Sequence, residues 1–386
     1  MRKQKIQSLI ILLCWLSSFT FIQAQVDYFP PAGQWKKKQA SAVGLNAKVL
    51  ERAISFALRN EYSGSRDLRQ AILKGFSREP FHSLLGPTKK RGGPAGIIIK
   101  DGYWVASWGD TQRVDMTFSV TKSYLSTLAG LAVDQDLFQT NELVAKYVWD
   151  GTFKGAHNQQ IQWKHLLNQS SDWSGSLWGL HDWADRPPRE GDIDDWKNRI
   201  LHPPGTYYKY NDVRVNVLAY SLLQLWRRPL PEILKKKIMQ PIGASTTWRW
   251  FGYENSWVNM DGQWVQSVSG GGHSGGGLFI STEDHARFGL LFLNQGNWAG
   301  QQLISKEWIS TATKPSAANP SYGFLWWLNH PESTRYVAAA GKDMFYAAGF
   351  GGNYIIVLPQ QNMVVVTRWL EPKQFAPFLQ KVLNAL

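Results

Sequence analysis

The stretches of this chain that read as β-strands are divided between its two ends, and that division restricts the folds open to it. GIIIKDGYWVASWG, residues 96–109, has the pattern of a hairpin turning at Asp101-Gly102. YGFLWWL (322–328), MFYAAG (344–349), NYIIVLP (353–359) and NMVVVTRW (362–369) are four later strand-like runs. Between the two sets the spacing turns helical. Val120, Tyr124, Leu125, Leu128 and Leu131 recur at three- and four-residue steps from Thr117 onward, and helical pieces at 163–168 and 213–226 are mixed with Trp- and Pro-rich loops. Further helices are expected at 46–59, 282–294 and 374–386. The expectation is an α/β fold: one antiparallel sheet built from both ends and flanked by helices, with a mainly helical region of about 135–270 inserted between the halves. No internal repeat or low-complexity linker breaks the chain.

The first 24 residues read as a separate unit. Arg2, Lys3 and Lys5 precede an apolar run from Leu9 to Leu16, and Ala24 offers a small residue for cleavage, the pattern of a secretory signal peptide. Residues 25–386 would then form the exported, periplasmic or secreted protein. Cys14 is the one cysteine of the chain and lies inside that leader, so disulfides, thiol nucleophiles and cysteine-ligated metals are not expected in the remainder. Stability must come from packing, which the 20 Trp suit. The formal charge is +13, of which the leader carries three, and the rest is scattered in short runs such as Lys235-Lys236-Lys237. Scattered charge permits weak attraction to anionic envelope polymers. It lacks the module and patch of a nucleic-acid binder.

Ser119-Val120-Thr121-Lys122 is a Ser-x-x-Lys at the start of a predicted helix, directly after the hairpin. Residues three apart share a helix face, so Lys122 can lie beside the Ser119 hydroxyl. A serine needs a base before it becomes a nucleophile, and a buried, neutral lysine can be one. The helix start adds N–H groups and a positive dipole end for a developing oxyanion. A second element stands in PPGTYYKYNDVRVNVLAY, residues 203–220, where a Pro-Gly turn leads to Tyr210, Asn211 and Asp212 and then to a helix.

Together with WKHLLNQSSDW (163–173), GGGLFISTEDHARFGLLFLNQG (275–296) and YAAGFGGNYIIVLP (346–359), these phrases resemble the serine β-lactamase and penicillin-binding-protein superfamily in its class C branch. That branch holds D-Ala-D-Ala peptidases, esterases and 6-aminohexanoate-dimer hydrolases. The resemblance runs from about Ala95 to the C-terminus. It implies a β-lactamase-like fold, Ser119 as the acylated serine, Lys122 as its partner, and Tyr210 as the tyrosine of a Tyr-x-Asn motif. Two departures follow. Asp212 stands where Asn is usual, placing a carboxylate near Lys122, and Ala347-Ala348-Gly349 stands where Lys-Thr-Gly or His-x-Gly is usual. Without a cation at Ala347, carboxylate-bearing β-lactams should be poor substrates unless another cation, such as Arg287 or Lys342, takes over. Phe350, after Gly349, would offer the second oxyanion N–H, beside that of Ser119.

Gly272-His273-Ser274-Gly275-Gly276 also matches the G-x-S-x-G pattern of a nucleophile elbow. An elbow needs a buried strand before it and a helix directly after it. Gln266 to Ser269 is weakly apolar and three glycines follow Ser274, so Ser274 is not expected to be the nucleophile. Glycine here more simply permits close backbone approach. His273 is kept as a site neighbour.

The sequence therefore points to an exported serine hydrolase that cleaves a small-molecule or peptide-like amide or ester through an acyl-enzyme on Ser119, with no cofactor and no metal. The alternative is a catalytically silent sensor or wall-binding protein on the same fold. Working as a base near pH 7 requires Lys122 to be shifted down by about three units from about 10.4. Burial favours that shift and Asp212 opposes it; the expectation is that burial wins.

Overall fold

A computed structural model describes residues 28–386; the leader expected at residues 1–24 lies outside the described residues. The core is a six-stranded antiparallel sheet. In chain order its strands are β1 (Ala95–Lys100) and β2 (Tyr103–Trp108) from the early half, then Trp327–Leu328, Phe345–Gly349, Asn353–Leu358 and Met363–Arg368 from the late half. The halves meet where β1 runs antiparallel to Met363–Arg368, with Ile98 opposite Val365. A long loop closure is thus compensated by a shared sheet centre.

Both faces of this sheet are covered, which explains why its strands read as unbroken apolar runs. Ile98, Ile356 and Val365 point into one core with helices α1 (Ala47–Arg59) and Phe375–Leu383. Ile97, Ile99, Ile355 and Val364 point into the other, larger core. That core contains α2 (Thr121–Val133), α3 (Asp212–Trp226) and α4 (Thr282–Leu293). Almost every residue of α2 is buried, so it shows no polar face, as expected for a helix enclosed on all sides.

The inserted region is less helical than its sequence suggests. Arg249–Met260 and Gln263–Val268 form a hairpin turning at Asp261-Gly262, in a second sheet with Gly277–Ile280 and Asp115–Met116. Asp261 and Gly262 both have positive φ, 52° and 85°, nearly repeating Asp101 and Gly102 at 53° and 82°. These are the values a two-residue type I′ turn requires. The same Asp-Gly signal therefore marks both hairpins, but the surrounding Trp, Asn and Ser hide the second. In 322–328 only Trp327–Leu328 is a strand. Leu325 (φ 62°) turns the chain, and Leu325 and Trp326 are buried from that turn by packing, without strand pairing.

Candidate active site

The second sheet delivers Ser119. Asp115–Met116 pairs with Gly277–Ile280, and the Thr117 N–H donates to Leu278 O at 2.9 Å. Phe118 follows at φ 50°, a conformation costly for a bulky side chain. The turn Phe118–Val120 is 3₁₀, so Ser119 sits one turn before α2, whose first residue is Thr121. The expected helix at Thr117 therefore starts later, and the strained Phe118 turns the chain into it. The Phe118 ring is held against Phe350 at 5.1 Å and Trp369 at 6.4 Å.

Lys122 is 1% exposed and its Nζ donates to Ser119 Oγ at 2.9 Å, the contact expected from the i, i+3 spacing. Nζ also lies 2.5 Å from Asp212 Oδ1. Burial pushes the Lys122 ammonium down. The Asp212 carboxylate, helped by Tyr210 and opposed by Arg186, more than reverses this, and the net direction is upward from the ordinary lysine value. The neutral Lys122 expected from burial is thus corrected: a charge 2.5 Å away outweighs desolvation. For Asp212, burial acts upward, but Lys122 and Arg186 hold its carboxyl well below the usual carboxylate range. Gly271 makes this pair compact. A Cβ on Gly271 would run into both Asp212 Oδ1 and Lys122 Nζ, so the glycine-rich segment serves as close backbone cover.

Tyr210 and Asp212 flank Asn211, which anchors them. Asn211 is fully buried and caps α3: its Oδ1 accepts from Arg214 N at 3.0 Å, its Nδ2 donates to Asp182 O at 2.7 Å, and its N–H donates to Gln169 Oε1 at 2.7 Å. The Tyr210 ring stacks on Trp327 at 5.8 Å. Lys122 Nζ lies 4.8 Å and the Arg186 guanidinium 5.1 Å from its centre. Negative charge developing on this phenol would meet two cations.

Arg186 is a member the sequence reading missed. It contacts Asp185 Oδ1 at 2.5 Å and Asp212 Oδ2 at 2.7 Å, and its Nη2 donates to His273 Nδ1 at 3.2 Å. A guanidinium only donates, so Nδ1 of His273 accepts and the Nε2 proton faces Glu79 Oε2 at 2.5 Å. His273 is thus a buried neighbour of the site that holds Arg186. Glu79, Asp185 and Arg186 come from scattered loops with no motif to mark them.

Around Ser119 lies a cavity of about 490 Å³ whose walls include Tyr210, Asp212, His273, Gly349 and Phe350. A Cβ on Gly349 would collide with Thr117 O and lie 3.3 Å from Ser119 N, so this strand end abuts the serine backbone. Ala348 faces the cavity, whereas Ala347 is 1% exposed and packs into the larger core. Neither cation suggested as a substitute reaches the site. Arg287 is consumed by the carbonyls of Pro30, Pro31, Gln34 and Ile242, and Lys342 is exposed away from the cavity. Arg335 lines it instead. Ser274 is fully buried in the loop before the strand Gly277–Ile280, with no helix after it and its Oγ unpaired, so the elbow geometry is absent.

The chain has relatives of known description. Residues 82–369 match the family model described as Beta-lactamase. A protein of Escherichia coli O157:H7, provisionally named D-alanyl-D-alanine carboxypeptidase, is 23% identical over 341 residues, covering 70% of this chain and 76% of the relative. The provisionally named 6-aminohexanoate-dimer hydrolase of Bacillus anthracis superimposes with a TM-score of 0.54 at 15% identity, over 94% of this chain and 88% of that one. EstCE1, a hydrolase with promiscuous acyltransferase activity, superimposes at 0.55 and 14%, over 88% and 98%. At these identities the structural likenesses establish the fold. The family match spans well over half of the 386 residues, from before the hairpin to the last strand, and this chain belongs to the beta-lactamase family.

Proposed function

We propose that this protein is an exported serine hydrolase of the class C branch that cleaves a small amide or ester through an acyl-enzyme on Ser119. The observation that carries the reading is the 2.9 Å hydrogen bond from a buried Lys122 to Ser119 Oγ at a cavity wall. The D-alanyl-D-alanine carboxypeptidase, 6-aminohexanoate-dimer hydrolase and acyltransferase descriptions of the relatives support amide and ester substrates as the class.

In the cycle we propose, Lys122 stays an ammonium and orients Ser119 Oγ, while Tyr210 starts as a phenolate held by Lys122 and Arg186 and exchanges the proton. The phenolate takes the Ser119 proton as Oγ bonds to the carbonyl carbon. The oxyanion is held by the N–H groups of Ser119 and Phe350. Tyr210 then returns the proton to the departing amine or alcohol as the old bond breaks, and water repeats the sequence to release the acid. Position 347 offers no cation, so β-lactams are expected to be poor substrates unless Arg335 on the cavity wall meets their carboxylate.

A fluorophosphonate probe tests the assignment. The wild-type protein and Ser274→Ala should label, and Ser119→Ala should not. Labelling retained by Ser119→Ala, or lost by folded Ser274→Ala, would overturn it. A panel of 4-nitrophenyl esters, D-amino-acid amides, linear aminohexanoate amides and nitrocefin then places the substrate within the class.

A further inference from the structure

The hairpin of Arg249–Met260 and Gln263–Val268 carries two exposed tryptophans, Trp257 at 50% and Trp264 at 66%. The strand register puts both on one face. Trp257 stands opposite Gln266 and Asn259 opposite Trp264, so these four side chains share a side and the two rings are diagonal neighbours. Val258, Met260 and Val265 point to the other side, where Met260 is buried and the two valines pack on the larger core. Two large rings left in water on one short hairpin mark a surface that a partner would cover.

The stretch behind this hairpin is cationic. Arg227, Arg228, Lys235, Lys236 and Lys237 are all exposed, running from the end of α3 to the π-helical turn Lys235–Met239. Arg227 pairs with Asp261 of the hairpin turn at 2.6 Å. Among the described residues the other four have no carboxylate oxygen within 4.0 Å. Arg227, Arg228 and Lys236 line one groove with Met260, Gln263 and Val265. Cations thus stand against the inner side of the hairpin, and tryptophans cover its outer side. None of these residues lines the Ser119 cavity.

We propose that the hairpin and the basic stretch behind it are a docking surface for an anionic phospholipid bilayer, which the hairpin enters turn first. Trp264 is two residues beyond the Asp261-Gly262 turn, so it reaches the headgroup layer early. Indole rings favour that depth, where the ring leaves water and its N–H stays hydrated. The lysines and arginines meet the lipid phosphates, and each adds to the attraction. A soluble polyanion would engage the cations and leave both rings in water, so the tryptophans single out the bilayer. The surface acts independently of Ser119 and of the hydrolase reading.

Co-sedimentation with vesicles tests the proposal. The full chain is mixed with vesicles of equal parts phosphatidylglycerol and phosphatidylcholine, or with phosphatidylcholine alone. The leader is common to every variant, so differences between variants report on the hairpin surface. The wild-type protein should partition at least about tenfold more strongly onto the anionic vesicles, and about 0.5 M salt should remove most of that preference. The double variant Trp257→Ser, Trp264→Ser and the triple variant Lys235→Gln, Lys236→Gln, Lys237→Gln should each lose about tenfold or more on the anionic vesicles. Both should keep the wild-type denaturant midpoint and the wild-type rate of probe labelling, since the changed side chains are exposed and outside the cavity. Undiminished binding by the folded tryptophan variant would overturn the proposal; combined with loss in the lysine variant, it would identify a polyanion site instead. Equal partitioning of the wild-type protein onto the two kinds of vesicle would also overturn it.

Discussion

Replacing Asp212 by Asn tests the electrostatics of the site most directly, because it removes one charge and almost no volume. In the wild-type protein Lys122 is raised above its unfolded value, so its stabilising contribution is fully present below about pH 10.4 and is lost as pH rises through the folded value. Asp212 is depressed, so its contribution is present above about pH 3.9 and is lost as pH falls through the folded value. The pair therefore stabilises most between roughly pH 4 and 10. In Asp212→Asn the lysine, 2% exposed at its side chain, has lost its carboxylate, whereas Arg186 Nη1 loses one of two and keeps Asp185. Leaving a buried charge unpaired costs about 3 to 5 kcal/mol. The amide oxygen can still accept from Nζ, which favours about 3. The loss includes about 0.3 to 1 kcal/mol for an acidic residue at the first position of α3. With the carboxylate gone, burial draws Lys122 below its unfolded value. The unfolded state then binds more protons in the window below about pH 10.4, so the variant gains stability as pH rises and its deficit shrinks. Urea denaturation at pH 7 and pH 10 measures both quantities. A deficit under about 1 kcal/mol at pH 7, or one equal at the two pH values, would refute the pairing argument. In the same variant the alkaline fall of probe labelling should move to lower pH, because the ammonium that orients Ser119 is lost sooner. Movement of an acid limb instead would make neutral Lys122 the base.

The remaining expectations concern individual contacts. Tyr210→Phe should lose nearly all acylation, whereas Lys122→Arg, which keeps a charge, should retain some; stopped-flow labelling of both variants decides, and the reverse order would return the base role to Lys122. Gly349→Ala should slow labelling by an order of magnitude or more while the protein remains folded, because its Cβ collides with Thr117 O beside Ser119 N; labelling at the wild-type rate would show that this strand end is not seated against the serine. Ala347→His, which the sequence alone would offer as a way to restore carboxylate binding, should instead destabilise by about 1 to 3 kcal/mol through overpacking of a buried position, readable by denaturant titration.

The sequence alone determined the features that repeat at short range. The Asp101-Gly102 turn determined the hairpin, and apolar runs marked the strands at 344–349, 353–359 and 362–369. Helical spacing placed Lys122 beside Ser119, since a bond between residues three apart needs only a turn of helix. The glycines and short polar runs around Ser274 were enough to argue against an elbow. Tertiary structure decided what depends on distance across the chain. Whether Lys122 is charged follows from Asp212, which is 90 residues away and 2.5 Å distant. Arg186, Glu79 and Arg335 reach the cavity from loops without periodicity, so no local pattern could announce them. The second hairpin had its Asp-Gly turn in plain view, but flanking residues chosen to pack on a helical region concealed its alternation. Short-range geometry is written in spacing, whereas the sign of a buried charge is set by whichever loops the fold brings against it.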